Sequence, residues 1–194
     1  MLRLRASPGN RCGSSTPYGR CRARDHAARP FEVGPVEHPS FERDHAGIAG
    51  SGERGHHAVG LDGAAPFVEM ARSYSGCEVW QQDFLDLNLP SARFDGVFAN
   101  ATLFHVPSAA LPGVLARLHA CLRPRGVLFA SNPRGDNREG WNGLRYGAYY
   151  DLEGWRAIVV AAGFEEILHY FRPPGLPREQ QPWLASVWRA RPLD

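Results

Sequence analysis

Ala58-Val59-Gly60-Leu61-Asp62-Gly63, followed by Pro66 and then Phe67, Met70, Ala71 and Tyr74, is the stretch on which the fold turns. A short apolar run closed by an acid reads as a strand buried on both faces, as in a parallel sheet. Pro66 falls in the first turn of a following helix, where its missing N–H costs nothing. The four residues after it recur at helical spacing. A strand, a turn and a helix in that order make one unit of an α/β sheet.

Downstream the rhythm continues. Glu78-Val79-Trp80-Gln81 reads as a second strand leading to Asp83, and Phe94–Asn100 as a third. Ser108 is placed to cap the next helix, whose stripe is Leu111, Val114, Leu115, Leu118 and Leu122. Arg123-Pro124-Arg125-Gly126 is a turn, and Val127–Ser131 the next buried strand. A helix over 152–162 stops at Gly163. Phe164–Phe171 and Trp183–Ala190 then follow as strands, joined by a segment with four prolines that cannot be a helix interior. Two strands without a crossover helix are antiparallel neighbours. The fold expected is α/β: a mostly parallel sheet finished by an antiparallel C-terminal hairpin.

Upstream the composition changes. Ile, Leu, Val, Met and Phe occupy 8 of residues 1–55 and 37 of the 139 residues from 56 to 194, and all five Trp lie in the second part. The first part carries 9 Arg against 6 acids. Residues 1–28 bury too little apolar surface to offset their ordering entropy and are expected to be a disordered tail. Residues 29–55 are expected to be an atypical or poorly ordered segment, and 56–194 the folded domain. Met1-Leu2-Arg3-Leu4-Arg5 lacks the apolar stretch of a secretory signal.

Composition also narrows the chemistry. The chain has 194 residues and a formal net charge of +2, which gives no argument for a nucleic-acid or membrane partner. All 22 cationic residues are Arg, which excludes a Schiff-base lysine and a phosphate-loop lysine. No apolar run is long enough to span a bilayer. The four cysteines form neither a CxxC pair nor a dense framework, as expected of a reduced, cytoplasmic protein. Neither the adjacent His56-His57 nor Cys12 and Cys21, nine apart, resembles a zinc-ligand pair.

In open α/β sheets ligands lie beyond the carboxyl ends of the strands. Three such ends are polar: Asp62 with Gly63, Asp83 with Phe84, and Asn100. One acid can accept from both hydroxyls of a ribose, and a second, followed by an aromatic ring, from an adenine amino group. A strand-ending Asp is also a common helix cap.

With these residues the chain resembles the class I S-adenosylmethionine-dependent methyltransferases over about residues 56–194. Val59-Gly60-Leu61-Asp62-Gly63, with Pro66 and Met70-Ala71-Arg72, is similar to that family's second strand and helix. Gln82-Asp83-Phe84 resembles its adenine-binding turn, and Phe94–Asn100 with Leu103–Pro107 its fourth strand and the loop beyond. Leu122–Leu128 is similar to the lead into strand five, with Arg125 where a Gly is usual. The resemblance implies a Rossmann-like methyltransferase sheet of order 3-2-1-4-5-7-6. It also implies S-adenosylmethionine as cofactor, with Asp62, Gly63, Asp83, Phe84 and Asn100 around it, and a small-molecule substrate.

One element of that family is missing. The acid-x-Gly-x-Gly-x-Gly turn after strand one should stand about 20 residues before Asp62, yet Pro39–Asp44 holds no glycine. Phe31-Glu32-Val33-Gly34 continues with Pro35-Val36-Glu37, too bulky for a close approach. Gly50-Ser51-Gly52-Glu53-Arg54-Gly55 is a literal GxGxxG but leaves no room for a helix before Asp62, so it reads as a loop. The first strand and helix are therefore expected to be degraded or missing. Either residues 30–55 build a poor substitute, or an altered reading frame upstream of residue 56 has replaced the original segment.

Methyl transfer from a sulfonium needs in-line placement more than acid–base machinery, so the lack of a triad is compatible with it. His105, after strand four, is a candidate proton acceptor; a loop histidine bonded to backbone is its ordinary role. Trp141, Tyr146, Tyr149 and Tyr150 lie where a substrate cover would sit. The expected function is methylation of a small molecule, and the alternative is a non-catalytic or vestigial cofactor-binding protein.

Overall fold

The computed structural model describes residues 1–6 and 57–192. Nine strands occur among them: Leu2–Ala6 (β1), His57–Asp62 (β2), Glu78–Gln81 (β3), Phe94–Asn100 (β4), Leu122–Pro133 (β5), Arg138–Asn142 (β6), Arg145–Tyr149 (β7), Phe164–Arg172 (β8) and Trp183–Ala190 (β9). The helices are Ala65–Ser75 (α1), Leu111–Cys121 (α2) and Leu152–Ala161 (α3). Seven strands form one sheet in the order β3-β2-β1-β4-β5-β9-β8, and β6 with β7 forms a separate hairpin. β2 with β3 and β4 with β5 are parallel, and β9 is antiparallel to both β5 and β8. The strands read from the sequence occur in the expected order with the C-terminal hairpin, but β5 begins at Leu122 and runs through the segment expected as a turn, and the β6–β7 hairpin was not expected.

The central strand differs from expectation. β1 fills the place between β2 and β4, and it runs antiparallel to both, with Leu2 opposite Leu61 and Ala99 and Leu4 opposite Val59 and Val97. Its sequence, Leu-Arg-Leu-Arg-Ala, alternates with period two. The pleat sends Leu2 and Leu4, both 0% exposed, into the main core, and puts Arg3 on the other face with its guanidinium 5.0 Å above the Phe98 ring. Burying the two leucines contributes about 1.5–3 kcal/mol each. Pairing on both sides satisfies backbone groups that β2 and β4 would otherwise leave open. For residues 1–6 the expectation of a disordered tail is therefore corrected. The first strand, expected to be degraded or missing, has its place filled by a short reversed one, because two interior edges reward a short alternating segment beyond its average composition. The remainder of 1–28 and the segment 29–55, including both glycine-bearing stretches, lie outside the described residues.

Each helix buries one face against this sheet. α1 carries Pro66 in its first turn and ends at Gly76, whose φ of 64° suits a residue without Cβ. It buries Val68 and Ala71 against Val79. The stripe expected from spacing is only partly right, because Phe67, Met70 and Tyr74 are exposed. The expected stripe of α2 is buried throughout. Ser108, however, does not cap α2, whose N-cap is Ala110. Asp151 caps α3 by accepting from Gly154 N at 2.7 Å, and the helix buries Trp155 and Val159. Among the described residues no helix is long and apolar enough to cross a membrane.

Candidate functional site

Because β2, β3 and β4 run the same way, their carboxyl ends share one edge of the sheet, and Asp62, Asp83 and Asn100 all lie along it. Asp62 stands opposite Gln81 in the parallel register, and Gln82 N donates to the Asp62 carbonyl at 3.1 Å. That bond ties the two acidic tips together. Gly63 lies in the same junction: a Cβ built on it would stand 3.5 Å from Gln82 O and 3.9 Å from Asp83 Cα.

The carboxylates are partly used by their own turns. Asp62 Oδ1 accepts from Ala64 N at 3.0 Å, and Asp83 Oδ1 from Leu85 N at 2.8 Å. Asp83 therefore also caps the short turn after it, while Asp62 closes the turn leading to α1, whose N-cap is Ala64. Asp83 is exposed and Phe84 half-buried against the main core. The Met1 amino group lies 3.7 Å from Asp62 Oδ2, and the Met1 carbonyl 3.5 Å from Thr102 Oγ1. A backbone segment running the opposite way thus stands at the tip between β2 and β4.

Asn100 ends β4, two strands from Asp62. Ala101 follows with φ 52°, an uncommon conformation for a residue with a Cβ, and donates its N–H to Ser131 O at 2.8 Å. The Asn100 amide oxygen accepts from Arg172 Nη2 at 3.3 Å. Thr102 Oγ1 donates to the Asn100 carbonyl at 2.8 Å.

His105 sits in the turn Leu103–His105, with Nδ1 2.8 Å from the Tyr146 carbonyl. A carbonyl only accepts, so Nδ1 is the donor, and in the neutral ring Nε2 is the acceptor nitrogen. The β6–β7 hairpin carrying Tyr146 is latched over this turn. Ser108 donates to Glu139 through both N and Oγ at 2.7 Å. A bond from Tyr146 pushes the Glu139 carboxyl below its usual range, and the same bond raises the Tyr146 phenol to about 12. Phe104 packs against His105 with ring centres 3.9 Å apart. Of the aromatics expected as a cover, Trp141, Tyr146 and Tyr149 belong to the hairpin, with Trp141 exposed near its tip, whereas Tyr150 follows it and is buried in the main core.

Sequence reasoning missed Arg172, Ser131 and Glu139. Gly143 at the first position of the two-residue loop Gly143-Leu144, with φ 60°, is the signal that identifies the hairpin. Nothing local marks Arg172, which reaches the edge only through the antiparallel return of β8.

A model of the methyltransferase domain matches residues 22–130, more than half of the chain. The chain belongs to this family. The match takes in part of the segment upstream of residue 56 as well as the strands described above. Among curated proteins no sequence matches. Among solved structures, the 1,6-didemethyltoxoflavin-N1-methyltransferase of Burkholderia thailandensis, determined with 1,6-didemethyltoxoflavin and S-adenosylhomocysteine, is similar at 23% identity and a TM-score of 0.60, over 75% of this chain and 69% of that one. An S-adenosylmethionine dependent methyltransferase from Mesorhizobium loti is similar at 19% identity and a TM-score of 0.55, over 68% of this chain and 79% of that one. The [4+2]-cyclase SpnF is similar at 15% identity and a TM-score of 0.53, over 69% of this chain and 65% of that one. At these identities the likeness is one of fold, and the cyclase illustrates that a fold alone does not fix the reaction.

The residues described fit the adenosine half of S-adenosylmethionine. Two adjacent acidic tips offer acceptors for ribose and adenine donors, and Gly63 keeps the ground between them low. Among the described residues, the start of β1 stands at the tip between β2 and β4.

Proposed function

We propose that the chain transfers a methyl group from S-adenosylmethionine to a small molecule. The observation that carries this reading is the Gln82–Asp62 backbone bond, which holds two acidic strand tips side by side in a chain of the methyltransferase family. Asp62 accepts from the ribose hydroxyls, Asp83 from the adenine amino group, and Phe84 and Gly63 border the base. Asn100 faces the amino-acid end. The cofactor, when bound, supplies an electrophilic sulfonium methyl. The protein's own task is to align an acceptor and shield it from water, and such positioning is worth about 7–11 kcal/mol. His105 Nε2 takes the acceptor's proton beneath the β6–β7 hairpin, its ring held by the Tyr146 carbonyl.

A second reading, cofactor binding without turnover, draws support from β1: a reversed central strand leaves Met1 against Asp62, where a ribose would compete with it. Calorimetric titration with S-adenosylmethionine tests the pair of readings together with a radiolabelled methyl-transfer assay. Binding with turnover supports the enzyme, binding without turnover the second reading, and no binding rejects both.

A further inference from the structure

β5 and β8 are both antiparallel to β9, so β8 ends at the same edge as β4 and β5. The register sets Asn100 opposite Ser131, and Trp183 opposite both Pro133 and Arg172. Asn100, Ser131, Trp183 and Arg172 therefore project from one face of the sheet, the face opposite buried Leu61, Leu2 and Ala99 and hence the one that carries Asp62.

Across that face lies the Arg172 side chain. Its Nη2 donates to Ser131 Oγ and to Asn100 Oδ1, and its guanidinium stands 5.7 Å over the Trp183 ring. Its Nε is buried without a hydrogen-bond partner. Every contact is neutral, and among the described residues no carboxylate pairs with it. Two other part-buried arginines are paired: Arg123 meets Asp95 at 2.6 Å, and Arg156 meets both Glu153 and Glu166 at 2.5 Å, whereas Arg134, like Arg172, has neutral partners, the Arg178 carbonyl and the Phe171 ring. Burial also lowers the proton affinity of Arg172, with only Tyr170 opposing. A guanidinium stays charged in such a place, and an unpaired buried charge calls for an anion.

On the methyl-transfer reading above, we propose that Arg172, steadied by Ser131 and Asn100, is a carboxylate-binding site beside the reacting centre. It selects an acceptor that is a small organic acid. The planar fork matches a carboxylate, and one guanidinium among neutral partners balances one negative charge, whereas a phosphate dianion would remain half compensated. The carboxylate has two sources, the acceptor or the amino-acid end of the cofactor, and they can be separated.

The test is calorimetry on the full chain and on Arg172→Gln and Arg172→Lys, with circular dichroism to confirm folding. The probes are benzoate and benzamide, with and without S-adenosylhomocysteine, and S-adenosylhomocysteine beside 5′-methylthioadenosine, which lacks the amino-acid end. Benzoate binding at least tenfold tighter than benzamide, lost in Arg172→Gln and partly kept in Arg172→Lys, assigns the site to the acceptor. A tenfold loss of S-adenosylhomocysteine with 5′-methylthioadenosine unchanged assigns the carboxylate to the cofactor, and so overturns the acid acceptor while keeping the anion site. Unchanged binding of both benzoate and S-adenosylhomocysteine in Arg172→Gln overturns the site altogether. If neither nucleoside binds the unaltered chain, it is the methyl-transfer reading that fails, and the benzoate arm still decides the anion site.

Discussion

Leu4 faces Val97 across an antiparallel pair in the middle of a sheet whose flanking strands run parallel to each other. The same leucine meets Val59 on its other side, and none of its surface reaches solvent. Five residues thus close the interior of the domain.

Leu4→Ala is expected to cost about 2–5 kcal/mol, the range for deleting a fully buried leucine. Leu4→Asp, which buries a charge between two strands, is expected to leave the chain unfolded. Arg5→Ala, on the exposed alternate position, should change stability by less than about 0.5 kcal/mol. Denaturant titration followed by far-UV circular dichroism measures all three, and equal effects at positions 4 and 5 would show that β1 does not hold this place.

How much of this was legible follows from the same strand. Periodicity over Ala58–Asp62, Phe94–Asn100 and the α2 stripe was strong because each element carries several apolar residues in a row or on one face. Leu2 and Leu4 also alternate correctly, but two leucines ahead of a long apolar-poor stretch are swamped by any average over it. What selects them is the pair of open edges at β2 and β4, a tertiary cause with no local trace. The acids at 62 and 83 were readable from their positions at strand ends. Arg172 was not, since its place depends on the register of β8 against β9.

Near the start of the long strand β5, Arg125 holds φ 66° where a glycine was expected from resemblance. A left-handed conformation costs a residue with a Cβ about 1–2 kcal/mol, and glycine returns about 0.4–1 kcal/mol of that through its freer unfolded chain. Arg125→Gly should therefore stabilise the domain by about 1 kcal/mol. Gly126→Ala should do the reverse, by about 1–3 kcal/mol, because its Cβ would lie 2.9 Å from Arg123 O and 3.0 Å from Leu122 Cβ. Paired thermal and chemical unfolding curves check both signs.

The hairpin latch predicts an acid sensitivity. Glu139 titrates below its usual value because Tyr146 and Ser108 donate to its charged form. A lowered folded-state value means that the latch contributes above the ordinary glutamate range and is lost as pH falls through the folded value. Exchange of the Ser108 amide, which donates to Glu139 Oε2 at 2.7 Å, should accelerate as pH is lowered through that window relative to intrinsic rates. Glu139→Gln should abolish this dependence. At the alkaline end, Tyr146 holds its proton up to about 12, so the latch weakens only as pH rises above the ordinary tyrosine value of 10.0.

His105→Gln and Tyr146→Phe separate positioning from proton transfer. Loss of Nε2 in His105→Gln is expected to lower kcat by about 100-fold or more with little change in cofactor affinity. Tyr146→Phe keeps the carbonyl that orients His105 and should reduce kcat far less. Steady-state kinetics beside cofactor titration distinguishes them, and equal losses would place His105 in a structural role.

The most direct measurement is the dissociation constant of S-adenosylhomocysteine for the full chain, for Asp62→Ala and for Asp83→Ala. Each charge-assisted bond to the nucleoside is worth about 1.5–3 kcal/mol, so either substitution should weaken binding by about tenfold to a hundredfold. Saturable binding to the unaltered chain with both losses is the expected result. No binding to the unaltered chain, or binding indifferent to both carboxylates, would contradict it.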